Sequence, residues 1–189
     1  MKHLLAPILL LTLLFPSLAY GETVKYGDLV QRPMWNGIYY KKFTDVPFTG
    51  KSTGKYQGSF RNGKKEGPFT SYHDNGQLQV KGTFKDGEID GPWVSYHHNG
   101  QLDSKGTHKD GELDGPRVRY HVNGQLGSKG TYKDGKEHGP WVSYYRNGKL
   151  IRKGTYKDGK EHGPWVWYNV DGTVWKTGTG TFKDGVRVK

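Results

Sequence analysis

The chain has 189 residues, 29 glycines, no cysteine and a formal net charge of +11, and only 32% of it is hydrophobic. The lack of cysteine excludes a disulfide framework and a zinc site built on thiolates. Low aliphatic content with high charge is typical of disordered chains, but 6 tryptophans and 13 tyrosines favour a folded one, because each aromatic ring buries about 150–250 Å².

The N-terminus has the pattern of an export signal. Lys2 and His3 precede an apolar run over residues 4–15, and Ala19-Tyr20-Gly21 follows as a small-x-small cleavage pattern. The run is shorter than the roughly 20 residues that span a bilayer. We therefore predict a signal peptide over residues 1–21 with cleavage after Gly21, a mature chain without a transmembrane span, and a periplasmic or extracellular location.

Two regions follow the predicted signal peptide. Residues 22–46 carry no repeat and are predicted to form an N-terminal lead-in, and the sequence does not indicate whether residues 22–44 are ordered. Residues 47–189 are predicted to form one domain of about five to six repeats.

A period of 24 residues organises this second region. Gly-Pro, Asn-Gly and Asp-Gly dipeptides all recur with the same step, which indicates an array in which each unit packs against its neighbours. The Gly-Pro pairs begin at Gly67, Gly91, Gly115, Gly139 and Gly163, the Asn-Gly pairs at Asn75, Asn99, Asn123 and Asn147, and the Asp-Gly pairs at Asp86, Asp110, Asp134 and Asp158.

Each unit is predicted to be a pair of antiparallel strands. Asp-Gly and Asn-Gly between short aromatic or β-branched runs are strong hairpin signals, since both central positions of a type I′ turn need a positive φ. No apolar run has helical spacing. The predicted fold is therefore all-β: an open, single-layer antiparallel meander of 24-residue hairpins.

Alternation along the predicted strands assigns side chains to faces. In one unit, Val94 and Tyr96 share one side of their strand and Trp93 takes the other, while Leu102 and Gly106 are predicted to share a side of the next strand. A bare glycine beside an aromatic column allows a neighbouring ring to lie across the backbone. Turn spacing does not determine which aromatic column faces which.

The remaining side of the second strand carries lysines. Each unit has a Lys-x-Thr-x-Lys pattern whose three side chains point the same way, and successive units place these residues roughly 10 Å apart. The sequence therefore predicts a double column of lysines on one sheet face, which serves either solubility alone or an anionic partner. Its members are Lys81, Lys85, Lys105, Lys109, Lys129, Lys133, Lys153 and Lys157.

The motif Gly-Thr-Tyr-Lys-Asp-Gly-Lys-x-His-Gly-Pro-Trp-x-x-Tyr-x-x-Asn-Gly stands almost intact at residues 130–148 and 154–172. It resembles the MORN repeat (membrane occupation and recognition nexus) in the variant form common in bacteria, and residues 47–50 resemble the lead-in of that family. The resemblance covers about residues 47–189 and implies an open, twisted antiparallel sheet that binds proteins or lipids. Many such bacterial chains are labelled as YwqK-type antitoxins, which implies a toxin as another partner.

The chain departs from this motif in two places. Arg117 and Arg119 replace the aromatic and small residues of one unit, and the last unit carries two extra residues within 177–180. Atypical terminal units are expected where a repeat array must cap an open edge.

No set of residues has the pattern of a catalytic site. The recurring His73, His97 and His121 lie near 10 Å apart, which is too far for one zinc ion. The acidic residues cluster in turns among lysines rather than in an apolar pocket. We predict no catalytic residue, no metal and no cofactor, and interpret the chain as non-enzymatic; a metal site at His97, His98 and His108 is the alternative.

The sequence supports one main functional hypothesis and two alternatives. The first is an exported scaffold that binds a protein partner or the anionic cell envelope, either lipid headgroups or acidic polymer, with the lysines supplying attraction. The second is neutralisation of a toxin protein, and the third is carbohydrate or cell-wall binding. Nucleic acid is not an expected partner, because the chain is predicted to be exported. The aromatic side chains predicted to supply contact area are Trp93, Trp141, Trp165 and Trp167.

Overall fold

The structure is a computed structural model that describes residues 21–32 and 37–188. The predicted signal peptide lies outside this range except for Gly21. Strands make up 63% of the structure, and the described residues contain no α-helix, only a 3-10 turn at Tyr26–Asp28.

Residues 21–32 and 37–188 form nineteen strands. They are β1 (Glu22–Lys25), β2 (Leu29–Arg32), β3 (Ile38–Lys41), β4 (Gly50–Thr53), β5 (Tyr56–Arg61), β6 (Lys64–Tyr72), β7 (Leu78–Lys85), β8 (Glu88–Ile89), β9 (Gly91–Tyr96), β10 (Leu102–Lys109), β11 (Glu112–Leu113), β12 (Gly115–Tyr120), β13 (Leu126–Lys133), β14 (Lys136–Glu137), β15 (Gly139–Tyr144), β16 (Leu150–Lys157), β17 (Lys160–Trp167), β18 (Gly180–Lys183) and β19 (Val186–Arg187).

One sheet contains 17 of these strands, and β2 and β3 form a separate two-stranded sheet. From β4 onward, hairpin follows hairpin in antiparallel register, so that β7 pairs with β6 on one side and with β8 and β9 on the other. The strand β1 is the exception, because it runs parallel to β4. The sheet does not close, which confirms the predicted fold class of an open antiparallel meander.

The Asp-Gly turns have the backbone geometry that their sequence predicts. At Asp86 and Gly87 the φ angles are 52° and 94°, and both central positions of a type I′ turn need such positive values. The Asn-Gly turns differ from the prediction. Only the glycine of each has a positive φ, as at Gly100, whose N–H donates to the His97 carbonyl at 2.8 Å in a longer turn. The side chain of Asn99 closes this turn by accepting from the Gln101 N–H at 3.1 Å.

Hydrogen bonds join each unit to the next at both edges of the sheet. At the Asp-Gly edge, the N–H of Gly111 donates to the carbonyl of Ile89 at 3.0 Å. At the Asn-Gly edge, Nδ2 of Asn99 donates to the carbonyl of Val122 at 2.9 Å. Because both contacts cross a unit boundary, they hold consecutive units in one register.

A β-bulge in each unit reverses part of the predicted face assignment. Leu102 pairs with Tyr96, and the register then shifts at Asp103, whose carboxylate accepts a hydrogen bond from the Ser95 hydroxyl at 2.8 Å. Directly opposed side chains share a face. Leu102 therefore lies on the face of Tyr96, and the prediction that it shares a side with Gly106 is wrong, because alternation does not count the extra residue of a bulge.

The best-buried apolar cluster lies at the N-terminal end of the sheet. The ring of Phe60, 3% exposed, lies 5.0 Å from the ring of Tyr39 and 5.7 Å from that of Phe48 between centroids. Part of this cluster comes from the lead-in, which is thus ordered where the structure describes it. The cluster comprises Val24, Leu29, Tyr39, Phe48, Phe60, Phe69 and Phe84.

Candidate functional site

One face of the sheet, here called the ring face, carries the aromatic column. Trp93 is opposite Gly106 in register, and its ring lies across Gly82 of the preceding strand, where a β-carbon would come within 2.1 Å of the indole. Trp141 covers Gly130 and Trp165 covers Gly154 in the same way. The prediction that rings lie across the mid-strand glycines is confirmed, and the register that turn spacing left open is now determined.

The rings of the two strands of each hairpin form one ladder. Trp141 lies 5.8 Å from Tyr132 and 5.5 Å from Tyr156 between ring centroids, in edge-to-face geometry. Such pairs stabilise by about 0.5–1.5 kcal/mol beyond their burial. The ladder is interrupted at Arg117, which replaces a tryptophan and places its guanidinium carbon 5.8 Å from the centre of the Tyr132 ring.

Trp165 does not supply a contact surface. It is 0% exposed, and its Nε1 donates to the Thr155 carbonyl at 3.0 Å. Its ring is covered by the last hairpins of the sheet, so its predicted role in binding is wrong and its role is structural. Trp93, Trp141 and Trp167 are half-buried and keep part of each ring accessible.

The guanidinium group of Arg152 packs against the aromatic cluster at the C-terminal end of the sheet. The guanidinium carbon of Arg152 lies 5.3 Å from the centre of the Trp165 ring and 4.7 Å from that of Trp167, and Arg152 pairs with Glu161 at 3.1 Å. Trp175, 45% exposed, packs edge-on against Trp167 at 5.8 Å. Sequence reasoning missed Arg152, because its partners come from other strands.

The opposite face, here called the lysine face, carries the predicted lysine columns. Lys105 pairs with Val94 on one side and with Val118 on the other, so lysines and valines alternate across the sheet. All eight predicted lysines are exposed, and none forms an ion pair with a carboxylate of the described residues. Half-buried tyrosines and leucines, such as Tyr120 and Leu126, form the neighbouring row on this face.

Three further lysines on this face were missed in the sequence. Lys136 pairs with Lys133 and Lys160 pairs with Lys157, each across an Asp-Gly turn, and Lys183 occupies the corresponding place before the last such turn. A two-residue turn sets the residue before it opposite the residue after it. Applied to the Asp-Gly turns in the sequence, this rule would have placed Lys136 and Lys160 on the lysine face.

Lys65 lies on the ring face and not in the lysine columns of the opposite face. Its Nζ is 4.5 Å from the centre of the Phe69 ring, 4.8 Å from that of Phe84 and 5.6 Å from that of Tyr39. No carboxylate of the described residues pairs with it. Burial lowers the pKa of Lys65 below its usual range, because the rings desolvate the ammonium group.

The depressed pKa of Lys65 predicts a pH dependence of stability. Between the folded-state pKa and the unfolded value of 10.5, the unfolded chain binds the proton more tightly, so the free energy of unfolding gains a contribution as pH rises through this window and loses it as pH falls. We expect Lys65→Met to remove this rise, whereas the exposed Lys64→Met keeps it. Urea unfolding at pH 7 and at about pH 10 measures this change in the free energy of unfolding. Equal changes with pH in the two variants would show that Lys65 is not its cause.

The recurring histidines hold units together rather than a metal. Nε2 of His121 lies 2.8 Å from the carbonyl oxygen of Tyr144 in the next unit, and His73 and His97 make the same contact. His108 lies beside Trp93, where burial and then the charge of Arg117 lower its pKa. Among residues 21–32 and 37–188, no group of three or more His, Asp or Glu side chains is placed to hold a metal ion.

The unit that builds both faces matches a known repeat family. Residues 65–86, 89–110 and 137–158 each match the MORN repeat variant. These units are MORN repeats. The unit with Arg117 and Arg119 lies between the second and third matched segments. No curated protein matches the chain.

MORN repeats form scaffolds that often bind proteins or membranes, and the family is generally non-enzymatic. In the part of the chain that the structure describes, no helix has the length and apolar content needed to cross a bilayer.

Proposed function

We propose that this MORN-repeat chain is an exported, non-enzymatic scaffold that binds anionic material of the cell envelope through its lysine face. The observation that carries the proposal is the set of eight exposed lysines on one face, none of them paired with a described carboxylate. The predicted signal peptide supports a periplasmic or extracellular location, where lipid headgroups and acidic polymers are available.

The geometry of the lysine face suits long-range attraction followed by contact. Each lysine near an anionic surface contributes about 1 kcal/mol at moderate ionic strength, and the columns repeat about every 10 Å, close to the Debye length at 0.1 M salt. The half-buried row that contains Tyr120 and Leu126 lies beside the lysines and adds amphipathic contact area.

The lysines and the tryptophans cannot contact the same flat partner, because they lie on opposite faces of the sheet. Trp93 and Gly106 share the ring face, whereas Lys105 is one residue from Gly106 and so points to the other side. The toxin-neutralising and carbohydrate-binding alternatives would therefore use the ring face, where Trp93, Trp141 and Trp167 keep accessible ring surface.

The proposal predicts salt-sensitive binding to vesicles. Full-length mature protein should sediment with phosphatidylglycerol vesicles at about 0.05 M salt and be released at about 0.5 M, but should not bind phosphatidylcholine vesicles. We expect charge reversal of the inner column to weaken vesicle binding by about tenfold or more. The variant carries Lys81→Glu, Lys105→Glu, Lys129→Glu and Lys153→Glu.

A control with the same net charge separates the face from the total charge. It carries Lys25→Glu, Lys42→Glu, Lys51→Glu and Lys176→Glu, all at exposed positions outside the lysine columns. Equal loss of binding in both variants would show that net charge alone matters. Binding that ignores salt would overturn the lysine mechanism.

A further inference from the structure

A change in charge divides the lysine face along its Asp-Gly edge. At the Asp86 and Asp110 turns, Lys85 is opposite Glu88 and Lys109 is opposite Glu112, so each lysine has a glutamate, not a second lysine, across the turn. In the following hairpins a lysine takes the place of the glutamate. The like-charged pairs are Lys133 with Lys136 and Lys157 with Lys160.

These like-charged pairs are unfavourable in the free protein. Residues directly opposite on one face of an antiparallel pair have β-carbons about 5 Å apart, and like charges at this distance destabilise the sheet. The same register accommodates a Lys–Glu pair in the earlier hairpins. The lysine pairs therefore concentrate positive charge where the fold itself does not require it.

The lysines of neighbouring hairpins form one continuous strip. The β-carbon of Lys136 lies 3.8 Å from the position that a β-carbon on Gly159 would occupy, and Lys160 lies at the same distance from Gly185. Each lysine thus packs against the turn of the next hairpin. We call this set the C-terminal lysine strip; its members are Lys133, Lys136, Lys157, Lys160 and Lys183, all exposed.

The nearby carboxylates only partly neutralise the strip. Glu137 and Glu161 are in register with ring-face tyrosines, but a carboxylate oxygen of Glu137 reaches to 3.9 Å from the position that a β-carbon on Gly159 would occupy, beside Lys136. Of the turn residues, Asp158 lies 3.4 Å from His138 Nδ1 and Asp184 lies 3.7 Å from His162 Nδ1, while Asp134 stays exposed in the first turn. The carboxylate of Glu112 lies against Gly135 and marks the N-terminal end of the strip.

The shape of the strip favours a flexible chain over a flat surface. Neighbouring strands lie about 4.8 Å apart, so the strip runs for roughly 20 Å across the sheet. Adjacent strands rotate by about 20–25°, so the lysine side chains turn through about 80–100° from Lys133 to Lys183. A plane of headgroups meets only part of such a strip, whereas a linear polymer can follow all of it.

We propose that the C-terminal lysine strip binds a linear, phosphate-bearing polymer. Lysine ammonium groups recognise phosphate as point charges, and a phosphate between two opposed lysines relieves their repulsion. This inference rests on the proposed function and deepens it, because it selects acidic polymer over lipid headgroups and assigns the binding to the hairpins after Glu112.

The test compares two variants of equal charge in the full-length mature protein, with long-chain polyphosphate as the probe. Lys136→Glu with Lys160→Glu reproduces the lysine–glutamate pairing of the earlier hairpins, so the sheet can accept it. Lys42→Glu with Lys51→Glu, at exposed positions outside the lysine columns, is the control. We expect the first variant to lower polyphosphate affinity by about tenfold or more at low salt, and the control by about threefold or less.

A measurement without ligand checks the pairing itself. The Lys136→Glu, Lys160→Glu variant should unfold at a temperature no lower than the wild type at low salt, because it removes two like-charged pairs. A lower unfolding temperature would contradict the reading of these pairs as unfavourable.

The binding outcomes separate this inference from the proposed function. Equal losses of polyphosphate affinity in the two variants would overturn the assignment of binding to the C-terminal lysine strip. If the wild type binds phosphatidylglycerol vesicles but not polyphosphate, the inference of a polymeric ligand is wrong, whereas the proposed function still holds. Absence of binding to either probe would overturn both. Orthophosphate at the same phosphate concentration should not displace polyphosphate, since it lacks linked charges. Full displacement would contradict the inference that the strip binds a polymer.

Discussion

Replacing Gly154 with alanine is expected to lower the free energy of unfolding by about 3 kcal/mol. A β-carbon at this position would lie 2.2 Å from Cδ2 and 2.4 Å from Cε2 of Trp165, far inside van der Waals contact. Trp165 has no exposed surface and donates to the Thr155 carbonyl, so its ring has no free space to move into. Urea unfolding followed by tryptophan fluorescence measures the change.

The matched control is Gly106→Ala at the equivalent position of another unit. There the nearest atoms to a β-carbon are Cδ2 of Leu113 at 3.4 Å and Cγ of Arg117 at 3.5 Å, because an arginine takes the place of the ring. We expect Gly106→Ala to be neutral or to stabilise by up to about 1 kcal/mol, since alanine loses less backbone entropy than glycine. Similar losses in both variants would show that the ring contact is not the cause.

Replacing Phe60 with alanine is expected to lower the free energy of unfolding by about 3–5 kcal/mol. Phe60 is 3% exposed, and its ring contacts those of Tyr39 in the lead-in and Phe48 before β4. The substitution removes this ring from the cluster that joins the N-terminal segment to the first hairpin. Thermal or urea unfolding measures the loss, and a change below about 1 kcal/mol would contradict the role of this cluster.

Phe43→Ala is the control for the same chemical change in the same region. Phe43 is fully exposed and holds a φ of 65° in the turn after β3. Removing its ring loses no burial, and we expect the free energy of unfolding to stay within about 0.5 kcal/mol. A large loss at Phe43 would mean that this turn is packed in a way that its exposure does not show.

Local features of the fold were predictable from the sequence. Asp86 and Gly87 take positive φ angles because aspartate tolerates that region and glycine has no β-carbon to clash there, independently of the distant parts of the chain. The side that Lys105 shares with Lys109 follows from alternation within one strand. Such features depend on residues a few positions apart, so a repeat pattern is enough to place them.

Features that depend on strand pairing were not predictable in the same way. The bulge at Asp103 moves Leu102 to the other face, and no count of alternating residues contains that step. The lead-in gave no periodic signal, yet Val24 and Tyr39 belong to the best-buried cluster. Their burial depends on strands that are distant in the sequence.

The sequence by itself determined the repeat unit, the all-β hairpin meander and the lysine columns, because each is repeated locally in every unit. Only the tertiary structure decided which equivalent residues differ in role. Trp93, Trp141 and Trp165 share one repeat position, but Arg152, Trp167 and the last hairpins enclose Trp165 alone. Periodicity makes such residues equivalent, whereas burial depends on the neighbours that each one has in space.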